Sequence, residues 1–313
     1  MIRFSNEHSF EYMVPSGTVG FDAKGWLWEK PLIALGLMKP ELFTIVLRTL
    51  TLEPRLYPVS NLSWIRPWTW LPWSPYSCVQ FLPNGGAINK VGLWNPGIKR
   101  WYMEIAPRID FRRLRVVASI FGTRDELVEM AEILNDFVDL VGIEVNVSCP
   151  NTGHMDADLE VIESIRAVKK MSRHPIIAKL SVDQNYVKIS AEICGYAEAI
   201  SLNSVPFNHA FPASPPDKSP MAKVGKPGSG SGGVSGRPAQ GLNWQAVKLL
   251  AKYGHIPVIA PSVMEYEDLA KVRRLGAKAV SFGAIHLRTP WKPTAIVERE
   301  MRMDIEEALD RTG

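Results

Sequence analysis

The sequence predicts an α/β protein, a single (β/α)8 barrel, on three observations. From residue 115 onward short apolar runs alternate with amphipathic helical patterns. The runs are apolar on both faces, as strands of a parallel sheet buried between helices must be. The length of 313 residues suits one barrel with insertions, which typically runs to about 250 residues or more.

The elements follow in order. RVVASIFG (115–122) is a β-branched strand, and Thr123 is placed to cap a helix in which Leu127, Met130, Ala131 and Leu134 recur at helical spacing. GIEVNVSCPN (142–151) is the next strand and its loop, followed by an amphipathic helix over 157–172. PIIAKLS (175–181) and AISLNSV (199–205) are strands flanking a helix over 183–197. A helix near 243–253, the strand HIPVIAPS (255–262), a helix from Glu265, the strand KAVSFGA (278–284) and a C-terminal helix complete the alternation. Upstream, MVPSG (13–17) and TIVLRTLT (44–51) supply two more strands, and eight in total favour a closed barrel. The whole chain, 1–313, reads as one domain with two interruptions. An extended loop insertion covers 56–88, within which residues 60–77 hold Trp64, Trp68, Trp70 and Trp73 among prolines that exclude a regular helix. A long loop covers 206–241 and ends in a glycine-serine run.

Charge and cysteine usage narrow the function classes. The net charge of +4, from 36 basic and 32 acidic residues, is too small and too dispersed to argue for nucleic acid. Three cysteines, Cys78, Cys149 and Cys194, fit a reducing compartment; Cys194, in a helical pattern, is expected in the core. The N-terminus lacks the apolar core of a signal peptide, and no run approaches the ~18 apolar residues of a spanning helix. A cytoplasmic protein is the expectation, and no metal site is expected.

Barrel active sites form at the carboxyl ends of the strands. The polar and glycine residues there are Ser16, Gly17, Arg48, Thr49, Asn146, Ser148, Cys149, Asn151, Lys179, Asn203, Ser204, Ser262 and Gly283. A thiol, a lysine and three asparagines in one ring suit a flat polar ligand. Cys149, between Asn146 and Asn151, is the candidate proton-transfer group, because a thiol can act as a base near neutrality in a helpful environment. Lys179 inside a barrel needs a negative partner. The glycines of 228–236 read as a flexible linker on composition alone, or as a point of close backbone approach to a ligand.

Five segments together resemble the class 1 dihydroorotate dehydrogenases. EVNVSCPNTG (144–153) is similar to that family's catalytic-loop motif, RTLTLEPR (48–55) to its threonine-leucine-glutamate segment, and INKVGLWNPG (88–97) to its substrate-loop motif. LNSV (202–205) and GGVSG (232–236) match as well, and the five occur in the family's order. The resemblance implies FMN as cofactor and oxidation of dihydroorotate to orotate in pyrimidine biosynthesis. It implies Cys149 as general base, with hydride passing to flavin N5. It places substrate against Arg48, Asn89, Val91, Gly92, Leu93, Asn146, Asn151, Asn203 and Ser204. It places FMN against Ser16, Gly17, Arg48, Thr49, Asn146, Lys179, Leu202, Gly232, Gly233, Ser262, Gly283 and Ala284. Fumarate, a partner reductase subunit or a quinone are the acceptors it leaves open, with a homodimer as a further expectation.

Three residues or segments depart from the family pattern. Arg48 stands where lysine is usual, and its fork can change substrate choice. Pro261 and Ser262 replace a glycine pair that usually donates amides to the FMN phosphate, and proline has no N–H. The Trp-rich segment lengthens the loop before Asn89. Two other readings therefore stand beside the first: a related FMN oxidoreductase acting on another pyrimidine or enone, and a flavin-free barrel with a binding or scaffold role.

Overall fold

The barrel's lower end is closed by a hairpin that sequence patterning did not reveal. In the computed structural model, which describes residues 1–55, 78–147, 158–222, 224 and 231–310, strands β1 (Ile2–Arg3) and β2 (Ser9–Phe10) pair antiparallel. They carry Ile2, Phe4 and Phe10 into the barrel axis, where these pack with Met13, Val46, Val117, Ile177, Ala199, Ile259 and Ala279.

The chain then enters β3 (Tyr12–Val14), the short helix α1 (Lys30–Ala34) and β4 (Thr44–Val46). A hairpin follows, β5 (Val79–Leu82) and β6 (Gly86–Asn89). Its turn carries Asn84–Gly85, with Gly85 at φ 87°, a conformation favouring glycine. After α2 (Ile98–Arg100) comes β7 (Arg115–Ile120), then α3 (Arg124–Leu134), β8 (Gly142–Asn146), α4 (Asp158–Met171), β9 (Ile176–Leu180), α5 (Tyr186–Glu192) and β10 (Ala199–Leu202). Strand β11 (Val205–Pro206), α6 (Phe207–Ala210), β12 (Gly233–Gly236) and α7 (Gln240–Tyr253) lead to β13 (Ile259–Ala260), α8 (Tyr266–Arg274), β14 (Ala279–Ser281), α9 (Ala284–Arg288) and α10 (Lys292–Asp310).

Eight strands form one parallel sheet in the order β10-β9-β8-β7-β4-β3-β14-β13. The N–H of Ile200 donates to the carbonyl of Pro257 at 2.9 Å, and Ile200 bridges Val258, so the last strand meets the first and the barrel closes. Thr123 caps α3 as expected. Its hydroxyl accepts from the Glu126 N–H and its own N–H donates to the Glu126 carboxylate, while Leu127, Met130, Ala131 and Leu134 are buried.

Some expectations are corrected. The strands expected at 13–17, 44–51 and 255–262 shrink to the cores of β3, β4 and β13. Pro15 and Pro261 follow directly after β3 and β13, and a proline cannot donate to a ladder. The segment 206–241 is not one irregular loop. It holds β11, α6 and β12, and α7 begins within it. Strand β12 pairs with β6 in a second, antiparallel sheet ordered β11-β12-β6-β5, which gives part of the segment 56–88 a partner as well. Cys194 is exposed, because α5 ends at Glu192 before reaching it.

Candidate functional site

Side chains in a parallel barrel alternate between its axis and its helical shell. Two residues beyond the apolar layer of Val46, Val117, Ile177 and Ala199 stand Arg48, Ser119, Lys179 and Ser201. Glu144 of β8 lies beside Ser119 in the register. A polar layer therefore sits directly on an apolar plug. Above it opens a cavity of about 550 Å³, within the range of small-molecule and cofactor sites.

The polar layer is a connected network. The Glu144 carboxylate, fully buried, accepts from the Lys179 ammonium at 3.2 Å and the Ser119 hydroxyl at 3.0 Å through Oε1, and from the Ser201 hydroxyl at 3.0 Å through Oε2. The Lys179 ammonium also donates to Ser16 Oγ at 3.2 Å. Thr49 lies 2.9 Å from Ser119 Oγ and accepts from Asn146 Nδ2 at 3.2 Å. Lys179, Ser16, Thr49 and Asn146 face the cavity; Glu144 lies behind Lys179 and does not line it. Glu144 is the residue that motif reading passed over. The available signal was a carboxylate inside an otherwise apolar strand, GIEVNV, which demands a buried partner.

Arg48 occupies the cavity wall in an aromatic cage. Its guanidinium lies 4.9 Å from the ring centre of Phe21, 5.5 Å from Trp26 and 5.6 Å from Trp94, and Nη2 donates to the Trp94 carbonyl at 3.2 Å. Burial lowers its pKa to about 10, so it remains a cation at neutral pH. Beside it, burial pushes the Cys78 thiol up to about 11, opposed by the Arg48 charge, so Cys78 is no thiolate at neutral pH. Cys78 does not line the cavity.

At the far end, Ser262 adopts φ 65°, the left-handed region that favours glycine. This serine therefore holds a backbone shape usual for the residue it replaces. Helix α7 clamps the turn: Gln240 donates to the Ser262 carbonyl at 2.9 Å, Trp244 to the Pro261 carbonyl at 3.0 Å, and Asn243 Nδ2 to Ser262 Oγ at 3.2 Å. Asn243 Oδ1 is buried with no hydrogen-bond partner among the described residues. Pro261, Ser262, Ser281, Gly283, Ala284 and Asn243 all line this end. Gly283 lines the cavity with no side chain to cover its backbone, and a Cβ there would sit 3.3 Å from Pro15 Cγ.

The structure brings together most of the residues expected from sequence. Ser16, Gly17, Arg48, Thr49, Asn89, Val91, Gly92, Leu93, Asn146, Lys179, Leu202, Asn203, Ser204, Ser262, Gly283 and Ala284 line the one cavity. Gly232 and Gly233 stand in its wall instead. A Cβ on Gly233 would come within 2.2 Å of Ser204 Oγ, and Asn89 Nδ2 donates to the Gly233 carbonyl at 3.3 Å. Cys149, Asn151 and the tryptophans of 60–77 lie outside the described residues. The sequence reading missed the apolar rim formed by Trp28, Leu32, Leu287, Pro290 and Trp291; for Trp28 and Leu32 the signal was the WLWEKPLIAL run at 26–35.

An eight-stranded parallel barrel with a cavity lined by residues at the carboxyl ends of its strands has the architecture of a barrel enzyme. Comparison with known proteins makes the class specific. The family model described as dihydroorotate dehydrogenase matches residues 78–302. A protein of Solibacter usitatus named putative dihydroorotate dehydrogenase A (fumarate) is 31% identical over 242 residues, covering 74% of this chain and 76% of its own. The catalytic subunit of dihydroorotate dehydrogenase B (NAD(+)) from Caldicellulosiruptor saccharolyticus is 34% identical over 240 residues, 73% and 75% of the two chains. Its counterpart from Desulforudis audaxviator is 28% identical over 308 residues, 96% of this chain and 89% of that one. The chain belongs to the dihydroorotate dehydrogenase family of FMN-dependent oxidoreductases.

The residues present fit that cofactor. The cavity has room for a tricyclic ring, and Lys179 offers a cation on its floor. The far end presents the Ser262 hydroxyl, able to donate to a phosphate, the bare Gly283 backbone, and the buried, unmatched Asn243 Oδ1, an acceptor for a hydroxyl of the cofactor's sugar-alcohol chain. No helix among the described residues is long and apolar enough to cross a membrane.

Proposed function

We propose that this protein oxidises dihydroorotate to orotate, a step of pyrimidine biosynthesis, in the cytoplasm. The observation that carries the reading is convergence. Segments 48–49, 89–93 and 202–204, far apart in the chain, meet Lys179 and Asn146 around one cavity. FMN, when bound, supplies the acceptor for the hydride that leaves C6 of the substrate.

The protein's own residues supply binding, orientation and proton transfer. Lys179, Ser16, Gly17, Thr49 and Leu202 hold the ring, and Ser262, Gly283 and Ala284 hold the phosphate. The Ser262 hydroxyl accepts from Asn243, which leaves its O–H free to donate to a phosphate oxygen. Asn89, Asn146, Asn203 and Ser204, with Asn151, provide amides and hydroxyls for a planar ring bearing carbonyls. Arg48, a caged cation, is matched to the substrate carboxylate. Cys149, three residues beyond Asn146, takes the C5 proton while C6 loses hydride, so the substrate gives up one proton and two electrons with a hydrogen. Cys78 offers no rival base. The rim of Trp28 and Trp291 narrows access of water.

The test is purification followed by anaerobic mixing with dihydroorotate. A yellow protein whose flavin bleaches on mixing supports the reading; a yellow protein that does not bleach supports the related oxidoreductase, which Arg48 favours. A colourless protein that takes up no FMN supports the scaffold. Reoxidation rates of the reduced enzyme with fumarate, with NAD(+) and a partner reductase subunit, or with a quinone then assign the acceptor.

A further inference from the structure

We propose that Glu144 is a positioning residue that sets, through Lys179, how much positive charge the cavity floor presents to the flavin. The inference rests on the FMN reading above and goes beyond it, because neither the motif nor the cavity lining assigns Glu144 a role.

The geometry is one of indirect contact. Glu144 is walled off from the cavity, yet it is the carboxylate on the Lys179 ammonium, at 3.2 Å, with both partners buried. Two further lone pairs accept from Ser119 and Ser201, each at 3.0 Å. The carboxylate is thus held from neighbouring strands on both sides. The ammonium divides its donors between Glu144 below and Ser16 at the cavity surface. Ser16 in turn lies 3.3 Å from Thr49 Oγ1, so the lysine is held at a fixed height.

Charge gives this arrangement its consequence. A ring that becomes anionic along one edge on reduction is stabilised by a facing cation. A carboxylate behind that cation offsets part of its field, and in a buried site water screens little of the remainder. Glu144 therefore does two things at once. It keeps Lys179 pointed at the cavity, and it holds the floor near neutrality so that reduction is favoured moderately. A packing role alone would need no charge at this position. A buried ion pair is often replaceable by apolar residues without loss of stability.

The experiment measures the two-electron potential of bound FMN in the wild type, Glu144→Gln, Lys179→Met and the double variant. Glutamine keeps the shape and removes the charge; its one oxygen still accepts from one serine, and the other serine must turn its hydroxyl to accept from Nε2. The equilibrium should then shift at least tenfold toward reduced FMN, about 30 mV upward for a two-electron couple. Lys179→Met should shift it tenfold or more the other way. In the Lys179→Met background the rise given by Glu144→Gln should be smaller than in the wild-type background, because only the carboxylate's own field remains and the part exerted by holding the ammonium is gone. An unchanged potential in Glu144→Gln with a lowered melting temperature would mean a purely structural role and overturn the proposal. Strictly additive shifts would overturn it too, since Glu144 would then act independently of Lys179. Should Glu144→Gln not fold, Glu144→Asp withdraws the carboxylate by one methylene. The potential should still rise, by less, and no rise there overturns the inference. Failure of the wild type to bind FMN would overturn the functional reading and this one together, whereas bound FMN with an unmoved potential overturns this one alone.

Discussion

Ser262 offers a perturbation in which strain, hydrogen bonding and cofactor affinity separate. The residue sits at φ 65° and accepts from the buried Asn243 amide. A left-handed backbone costs a non-glycine residue about 1–2 kcal/mol. Leaving the Asn243 donor unsatisfied costs about 1–3 kcal/mol. Ser262→Ala keeps the strain and loses the bond, so the apoprotein should lose about 1–3 kcal/mol. Ser262→Gly loses the same bond but relieves the strain, and should remain within about 1 kcal/mol of the wild type. Both variants lack the hydroxyl. If it donates to the FMN phosphate, the charged hydrogen bond is worth about 1.5–3 kcal/mol. Both should then bind FMN roughly ten- to hundredfold more weakly, at about 1.4 kcal/mol per factor of ten. Apoprotein unfolding in urea gives the first quantity, and quenching of FMN fluorescence on titration gives the second. FMN affinity unchanged in both variants would refute the phosphate assignment. Equal stability of the two would refute the strain argument.

Three further outcomes are expected. Cys149→Ala should slow anaerobic flavin reduction by dihydroorotate about 10²–10⁴-fold while FMN stays bound; reduction at near wild-type speed would place the base elsewhere. Arg48→Met removes the charge and the fork, so KM for dihydroorotate should rise at least about tenfold, the worth of one charged hydrogen bond, and an unchanged KM would remove Arg48 from the substrate. His8, partly buried and bonded to Thr44 at 2.8 Å, has its pKa lowered to about 4 by burial and then by Arg115. The unfolded chain takes up that proton near 6.5, so stability should be complete above pH 6.5 and fall as pH drops toward 4. The loss should be about 1–2 kcal/mol after allowing for partial exposure, and absent in His8→Asn, as read from urea midpoints at pH 7.5 and 5.

How much was legible in the sequence depends on whether a residue's signal was local. The barrel strands were legible because a parallel strand between helices is apolar on both faces, as Val116 and Val117 are in β7 and Ile176 and Ile177 in β9. The second sheet was not, because β6 and β12 lie some 140 residues apart and the four residues of β12 carry two glycines. The need for Gly233 comes from Ser204 across the wall, a contact periodicity cannot show. The cavity residues at strand ends were found by rule, since polar side chains there stand out against apolar strands. Glu144 escaped because it lies behind Lys179, off the cavity, where only the need for a partner marks it. Cys194 misled because a helical pattern continues in the sequence past Glu192, where the helix stops.

The departures at Arg48 and Ser262 raised the possibility of a barrel that had given up its flavin, and the local physics argues against it. Ser262 keeps a glycine-like conformation at an energetic cost, held by three side chains of α7. That cost is hard to account for if the turn no longer meets a ligand, because strained residues concentrate where function requires them. Arg48 is desolvated but caged by three aromatic rings, so the wall tolerates a bulkier cation without losing its polar face. Beneath both lies the Glu144–Lys179 pair, whose desolvation must be offset by every bond it makes. A scaffold would gain by replacing that pair with leucine and methionine. A site that must face a ring of changing charge has a use for it, and all three features border the same cavity. Apoprotein that refuses FMN while keeping this network intact is the result that would reverse the argument.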